Sequence, residues 1–235
     1  MWFSIWQYCY TDKKELDKLH GLQLGSVVEI TGKIHQDDRA IDGVEIHEPK
    51  IRVDMPVIDV MPIEIDKPIS HKPEHLDTLF ENRVISLRNI HEQSIFKIQA
   101  EIENIIRTYL LSNEFVSIHS PKLLAEATEG GAEVFKLDYF GKEATLAQSA
   151  QFYKQIMVGV YERVFEIGST YRAEPSTTTR HMSEYMTVDV EMGFIDSFQD
   201  VKNLLNEMLW EINENIWLNK TVDLENLRAT RESRE

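Results

Sequence analysis

The apolar positions along the chain change period once. From Gly25 to about Asp66 they alternate as in extended strands, in Val27-Val28-Glu29-Ile30-Thr31-Gly32-Lys33-Ile34 and, after a polar turn at Asp37-Asp38-Arg39, in Val44-Glu45-Ile46. Two more β-rich runs, 50–53 and 57–60, stand among Pro49, Pro56, Pro62 and Pro68, which predicts strands interrupted by prolines. The stretch 62–73 is the best linker candidate, because the period beyond it is 3.6. Ile95, Ile98, Ile102, Ile105 and Tyr109 predict an amphipathic helix of about four turns. Phe198, Val201, Leu205, Met208, Leu209, Ile212 and Ile216 predict another, with Asp196 or Ser197 as its N-cap. Both stripes read as core. A short strand at 115–118 stops before Pro121, and the charged tail 228–235 reads as solvated or frayed. The aromatic run 1–10 falls well short of the roughly 20 residues of a membrane helix. It lacks the basic lead of a signal peptide, so it predicts one hydrophobic strand.

Composition narrows this further. With 235 residues the chain can hold one large or two small domains, and 42% hydrophobic against 28% charged residues is a globular balance. The 25 Lys and Arg face 40 Asp and Glu, a formal net charge of −15, which excludes nonspecific polyanion binding by bulk charge. Any nucleic-acid contact must be local. The single Cys9 allows neither an internal disulfide nor a cysteine-based zinc site and points to a reducing, cytoplasmic compartment.

The chemistry concentrates between residues 163 and 195. Phe165, Ile167 and Tyr171 alternate with Glu166, Gly168, Thr170, Arg172 and Glu174; Met186, Val188, Val190, Met192 and Phe194 alternate with Tyr185, Thr187, Asp189, Glu191 and Gly193. Two strands, each with one apolar and one polar face, are joined by a loop rich in hydroxyls and cations. Packing the apolar faces on helices leaves a polar floor bearing Arg172, Glu174, Asp189 and Glu191, overhung by Arg180 and His181. Arg172 can fork onto a phosphate or carboxylate, and Asp189 or Glu191 suits an ammonium group. By composition alone the same face reads first as an ordinary solvent-facing sheet laced with weak ion pairs. Ala127-Thr128-Glu129-Gly130-Gly131-Ala132-Glu133 reads as a plain turn or a mobile lid. Gln148-Ser149-Ala150-Gln151-Phe152-Tyr153-Lys154-Gln155 sets amide, hydroxyl and ammonium groups at the start of a helix.

These runs together resemble the class II aminoacyl-tRNA synthetases of the aspartate/asparagine/lysine subgroup, and within it the archaeal-type aspartate-tRNA ligases. The resemblance covers residues 27–195; Tyr171-Arg172-Ala173-Glu174 through Thr179-Arg180-His181 has the form of motif 2, and 115–121 that of motif 1. It implies an α+β fold. Residues 1–66 would be a partial OB-type β-barrel that binds the anticodon, and 67–235 an incomplete antiparallel-sheet catalytic domain with motifs 1 and 2 but no motif 3. The implied activity joins aspartate to tRNA(Asp), or also to tRNA(Asn), through an aspartyl-adenylate made from ATP with Mg²⁺. The implied assembly is a homodimer formed through the motif 1 region, with no membrane attachment.

Carried over by position, Arg172 would be the catalytic residue, holding the α-phosphate and the amino-acid carboxylate. Ala173, Glu174, Arg180, His181 and Met182 would bind ATP with it. Glu129, Gln151, Phe152, Tyr153 and Lys154 would enclose the aspartate, Lys154 pairing its side chain and Asp189 fixing that lysine or the substrate. No metal ligand is assigned. Lys154 favours aspartate, although Phe135-Lys136-Leu137-Asp138-Tyr139-Phe140-Gly141 resembles the asparagine branch, so an asparagine-tRNA ligase is the alternative.

The sequence also departs from the family pattern. No Gly-x-Gly-x-x-Arg follows Gly193, the leading barrel strands are missing, Ala150 stands where proline is usual, and Ser169-Thr170 where a more apolar pair is. These departures predict a chain truncated at both ends, of doubtful activity, and leave a non-catalytic synthetase paralogue as a further reading. An ammonia-dependent asparagine synthetase shares the catalytic core but lacks a barrel like 1–66.

Overall fold

The structure, a computed structural model, describes residues 9–10, 13–38, 43–69, 72–127, 133–174, 178 and 181–232. In chain order these form β1 (Cys9–Tyr10), α1 (Lys13–Asp17), β2 (Val27–Gln36), β3 (Val44–Met55), α2 (Pro73–Glu81), α3 (Arg83–Ser86), α4 (Ile90–Ser112), β4 (Val116–Ser117), β5 (Leu123–Leu124), β6 (Lys136–Tyr139), β7 (Lys142–Leu146), α5 (Gln151–Tyr161), β8 (Arg163–Tyr171), β9 (Glu184–Met192), α6 (Phe198–Asn219) and α7 (Thr221–Glu232). They divide into two compact units, Met1–Ser94 with Asn226–Glu235, and Ile95–Glu225.

In the first unit the sheet order is β1-β3-β2, with β1 parallel and β2 antiparallel to β3. The runs predicted as separate strands around Pro49 are one continuous β3. Its pairing with β2 shifts register between Thr31 and Lys33, so Gly32 faces the unpaired Glu48-Pro49 step and the proline displaces no ladder bond. A Cβ on Gly32 would stand 2.5 Å from Ile46 Cγ2 and 2.8 Å from the His47 carbonyl, which only glycine avoids. The Glu15 carboxylate ties α1 to β3, accepting from Lys18 Nζ and, at 2.8 Å, from the Ile51 N–H. These bonds, Lys18 first, hold its carboxyl below the ordinary range.

Two expectations for this unit change. The run 57–60 is not a strand: it lies between Pro56 and Pro62 without a ladder partner among the described residues, and Ile58 and Val60 are exposed. Within the stretch 62–73, of which 70–71 lie outside the described residues, Ile63 and Ile69 bury against Leu79 of α2, which begins with Pro73 in its first turn. The Asn89 amide donates to the Lys67 carbonyl at 2.6 Å and holds the stretch down.

The second unit has two three-stranded sheets. In one, β8 lies between a parallel β4 and an antiparallel β9; in the other, β7 lies between β5 and β6, both antiparallel to it. Phe165 of β8 is fully buried with Ile106 and Leu110 of α4, Phe115 and Met208 of α6, and Ile167, Val190 and Met192 pack around them. The apolar sheet face meets both helices, but only partly along the predicted stripes: Ile102, Tyr109, Met208 and Ile212 reach the core together with Ile106, Leu110 and Leu204, whereas Ile95, Phe198, Val201, Leu205 and Leu209 are exposed. The Tyr109 hydroxyl donates to Glu207 at 3.0 Å; burial, and then this bond, push its phenol up to about 12, so it remains a donor.

Helix α6 starts on a capping box. Ser197 Oγ accepts from the Gln199 N–H at 3.2 Å, and the Asp200 carboxylate accepts from the Ser197 N–H at 3.0 Å. Ser197→Ala is expected to cost about 1 kcal/mol in urea unfolding; an unchanged midpoint would show that the cap contributes nothing. Residues 228–232 of the charged tail continue helix α7, with Arg228 exposed, and 233–235 lie outside the described residues. Ahead of the tail, Leu224 and Leu227 of α7 are half-buried, and within the first unit Asn226 accepts from His91 Nδ1 at 3.1 Å and donates to Ser94 at 3.1 Å. The β6–β7 hairpin has no counterpart in the sequence reading. Its turn, Phe140-Gly141, has φ of 51° and 78°, a two-residue geometry that Gly141 makes accessible, and Asp138 accepts from the Gly141 N–H at 2.9 Å.

Candidate active site

Strands β8 and β9 pair without a register shift, Glu166 opposite Asp189, Gly168 opposite Thr187 and Thr170 opposite Tyr185. Residues directly opposite share a face, so the even positions of β8 and the odd positions of β9 form one polar floor. The floor is real. Helix α5 sets Lys154 against it with 6% of that residue exposed. Lys154 Nζ donates to Asp189 Oδ1 at 2.8 Å and lies 3.6 Å from Glu191 Oε2. Thr187 Oγ1 donates to Asp189 Oδ2 at 3.0 Å and fixes that carboxylate from the other side. A buried ammonium is sustained only with such partners.

Beyond the end of β8 the pairing continues, the Arg172 N–H donating to the Ser183 carbonyl at 2.9 Å. Arg172 Nε is buried without a hydrogen-bond partner among the described residues. An unsatisfied buried guanidinium N–H is costly, and an anionic ligand oxygen is the acceptor that suits it. Ala173 donates its N–H to the Glu133 carbonyl at 3.0 Å, which joins the end of β8 to the segment after the glycine pair. Glu174 Oε2 lies 3.6 Å from His181 Nε2, and the other ring nitrogen of His181 is 2.6 Å from Thr178 Oγ1.

The structure thus brings Lys154 to Asp189 and Glu174 to His181. Gln151 and Tyr153 are half-buried on α5, whereas Phe152 is largely exposed, touching Tyr153 edge-on at 5.7 Å, and Met182 is exposed. Glu129 and Arg180 lie outside the described residues. The alternation pattern did not reveal the partners of Glu166. Its buried carboxylate accepts from the Ser120 N–H at 3.1 Å, from Ser120 Oγ at 2.5 Å and from Lys122 Nζ at 2.9 Å. The only signal in the sequence was the position of Glu166 on the polar face, because Ser120 and Lys122 flank Pro121 outside any patterned strand.

A family model described as tRNA synthetases class II (D, K and N) matches residues 75–232. The chain belongs to this family. Among characterised relatives, the aspartate–tRNA(Asp/Asn) ligase of Deinococcus radiodurans is 42% identical over 206 residues, 87% of this chain and 47% of that protein. The enzyme of the same name from Methanopyrus kandleri is 39% identical over 198 residues, 84% of this chain and 45% of its own. Among solved structures, a putative aspartyl-tRNA synthetase from Leishmania major superposes with a TM-score of 0.75 at 29% identity, covering 92% of this chain and 43% of its own. The asparaginyl-tRNA synthetase of Pyrococcus horikoshii, solved with asparaginyl-adenylate, gives 0.78 at 26% identity over 96% of this chain and 53% of its own.

This class II synthetase chain therefore spans about half the length of the curated relatives it matches. In its second unit β8 and β9 form an antiparallel pair. None of its described helices is long and apolar enough to cross a membrane.

Proposed function

We propose that this chain is the part of an aspartate–tRNA ligase that binds aspartate and the α-phosphate of ATP. The observation that carries this reading is Lys154, almost fully buried and held at 2.8 Å by Asp189 on the polar floor. A buried ammonium flanked by carboxylates can recognise both ends of a small acidic amino acid: Lys154 takes the side-chain carboxylate, and Asp189 or Glu191 the α-ammonium. The names of the relatives, aspartate–tRNA(Asp/Asn) ligases, support the same substrate.

In the reaction, the α-carboxylate of aspartate attacks the α-phosphorus of ATP, pyrophosphate leaves, and the aspartyl group of the adenylate then passes to the tRNA 3′ end. Arg172 is the catalytic residue: its buried, unpartnered Nε–H fits the oxygen on which charge develops as pyrophosphate departs. Ala173, Glu174, Arg180, His181 and Met182 complete the nucleotide side, with Glu174 orienting His181. Glu129, Gln151, Phe152 and Tyr153 enclose the amino acid. For Mg²⁺, the described residues offer no group of three or more His, Cys, Asp or Glu side chains; bound with ATP, the ion would neutralise phosphate charge.

Residues 1–66 are the partial OB-type module directed at the anticodon of tRNA(Asp), or also of tRNA(Asn), and 67–235 the catalytic part. Two chains pair through the motif 1 region around Phe115–Pro121, in the cytoplasm. A second reading, asparagine as substrate, is favoured by the 135–141 segment and by the asparaginyl-tRNA synthetases among the structural neighbours. ATP–pyrophosphate exchange decides between them. Exchange stimulated by aspartate and not by asparagine is the expected result; stimulation by asparagine alone would overturn the substrate.

A further inference from the structure

The floor holds a second lysine–carboxylate pair, Lys122 with Glu166, apart from the residues assigned to the reaction. Glu166, with 4% of its side chain exposed, accepts from Lys122 Nζ at 2.9 Å, from Ser120 Oγ at 2.5 Å and from the Ser120 N–H at 3.1 Å; Lys122 also donates to Ser120 Oγ at 3.1 Å. Glu166 is the direct cross-strand partner of Asp189, the residue that holds Lys154. Cβ atoms at such positions stand about 4.5–5.5 Å apart, so the two carboxylates are nearest neighbours on one face. Like charges placed this way repel unless each has its own counter-ion. Gly168, next on the same face, leaves room for the arrangement: a Cβ there would stand 3.3 Å from Glu166 Oε1 and 3.6 Å from Lys122 Nζ. Thr187, opposite Gly168, bonds Asp189 and completes an unbroken polar row.

We infer that Lys122 is a positioning residue for amino-acid binding: by neutralising Glu166 it leaves Asp189 to Lys154 and to the substrate, so that Glu166 adds no uncompensated charge beside them. This rests on the proposed aspartate site and deepens it. Without the Lys122 charge, Glu166 adds a buried negative charge beside Asp189, which draws Lys154 away from an incoming carboxylate and repels an acidic substrate. The alternative is that the Ser120–Lys122–Glu166 cluster only anchors the segment after β4 to β8. That role would depend on packing and hydrogen bonding, not on the charge balance of the floor.

Aspartate binding by calorimetry, at saturating non-hydrolysable ATP analogue, separates the two. Lys122→Met is expected to weaken aspartate binding about tenfold while leaving the affinity for the ATP analogue unchanged. The double variant Lys122→Met/Glu166→Gln, which removes both charges, is expected to return within about twofold of wild type. Lys122→Gln carries the same expectation as Lys122→Met if the methionine variant does not fold. A second readout needs no ligand: the assigned side-chain ¹⁵N resonance of Lys154 should shift in the single variant and return in the double. A double variant no better than the single one, or a Lys154 resonance and aspartate affinity both indifferent to Lys122, overturns the inference. If the wild-type chain binds no aspartate, the ligase reading fails, and the Lys154 resonance alone still decides whether Lys122 controls that lysine.

Discussion

Lys154→Met is expected to weaken aspartate binding by about a hundredfold or more and to destabilise the second unit as well. The two effects share one cause. Lys154 is the ammonium between Asp189 and Glu191, whose side chains are 18% and 31% exposed. Methionine fills similar volume but leaves both carboxylates without their cation, and removing one partner of a buried pair costs about 3–5 kcal/mol. Because Asp189 and Glu191 retain some solvent, the lower end of that range applies here. The binding loss follows from the lost charge-assisted bond to the substrate carboxylate together with two uncompensated negative charges facing it. Calorimetry measures the first effect and urea unfolding the second. Aspartate affinity within threefold of wild type would remove Lys154 from the site, whatever happened to stability.

Phe165→Ala is expected to cost about 3–5 kcal/mol, the largest stability loss from any single truncation in the second unit. Phe165 has no exposed surface and sits among Ile106, Leu110, Phe115 and Met208, where α4, α6 and β8 meet. The guanidinium of Arg107 lies 5.9 Å from its ring centroid, so truncation also removes a cation–π contact. The cavity left behind is lined from two helices and a strand, whose backbones cannot all collapse into it. Since Glu166 is the next residue, any inward shift of β8 moves the polar floor, and aspartate binding should weaken with stability. Urea unfolding followed by tryptophan fluorescence gives the magnitude. A loss under about 1 kcal/mol would mean that this core is not what holds β8.

Much of the second unit was legible in sequence. Alternation between residues 163 and 194 placed Glu166, Asp189 and Glu191 on one face and Phe165, Val190 and Met192 on the other, and the structure pairs them that way. Side-chain direction along a strand has a fixed period of two, so a long regular hairpin carries its own geometry. The helical stripes of α4 and α6 were legible only in part, because a 3.6 period marks the helix but not which of several apolar neighbours turns inward: Ile106, Leu110 and Leu204 pack against the core, while Phe198, Val201, Leu205 and Leu209 stay exposed. The β6–β7 hairpin escaped because a two-residue turn at Phe140-Gly141 is a matter of backbone φ, which a phenylalanine does not advertise. Helix α7 escaped because its apolar positions are too few to set a period, and its anchoring depends on Asn226 meeting His91 and Ser94, far away in sequence.

By itself the sequence determined which side chains share a face, and a run of family-like segments strong enough to place the chain among the class II synthetases. Only the tertiary structure decided which charge each face residue answers to. Lys154 reaches Asp189 across 35 positions, Lys122 reaches Glu166 across 44, and Arg172 Nε stays buried without a partner. Periodicity is local and fixes direction. Ion pairing depends on distance in space, and that distance is set only when β8, β9, α5 and the segment after β4 pack together.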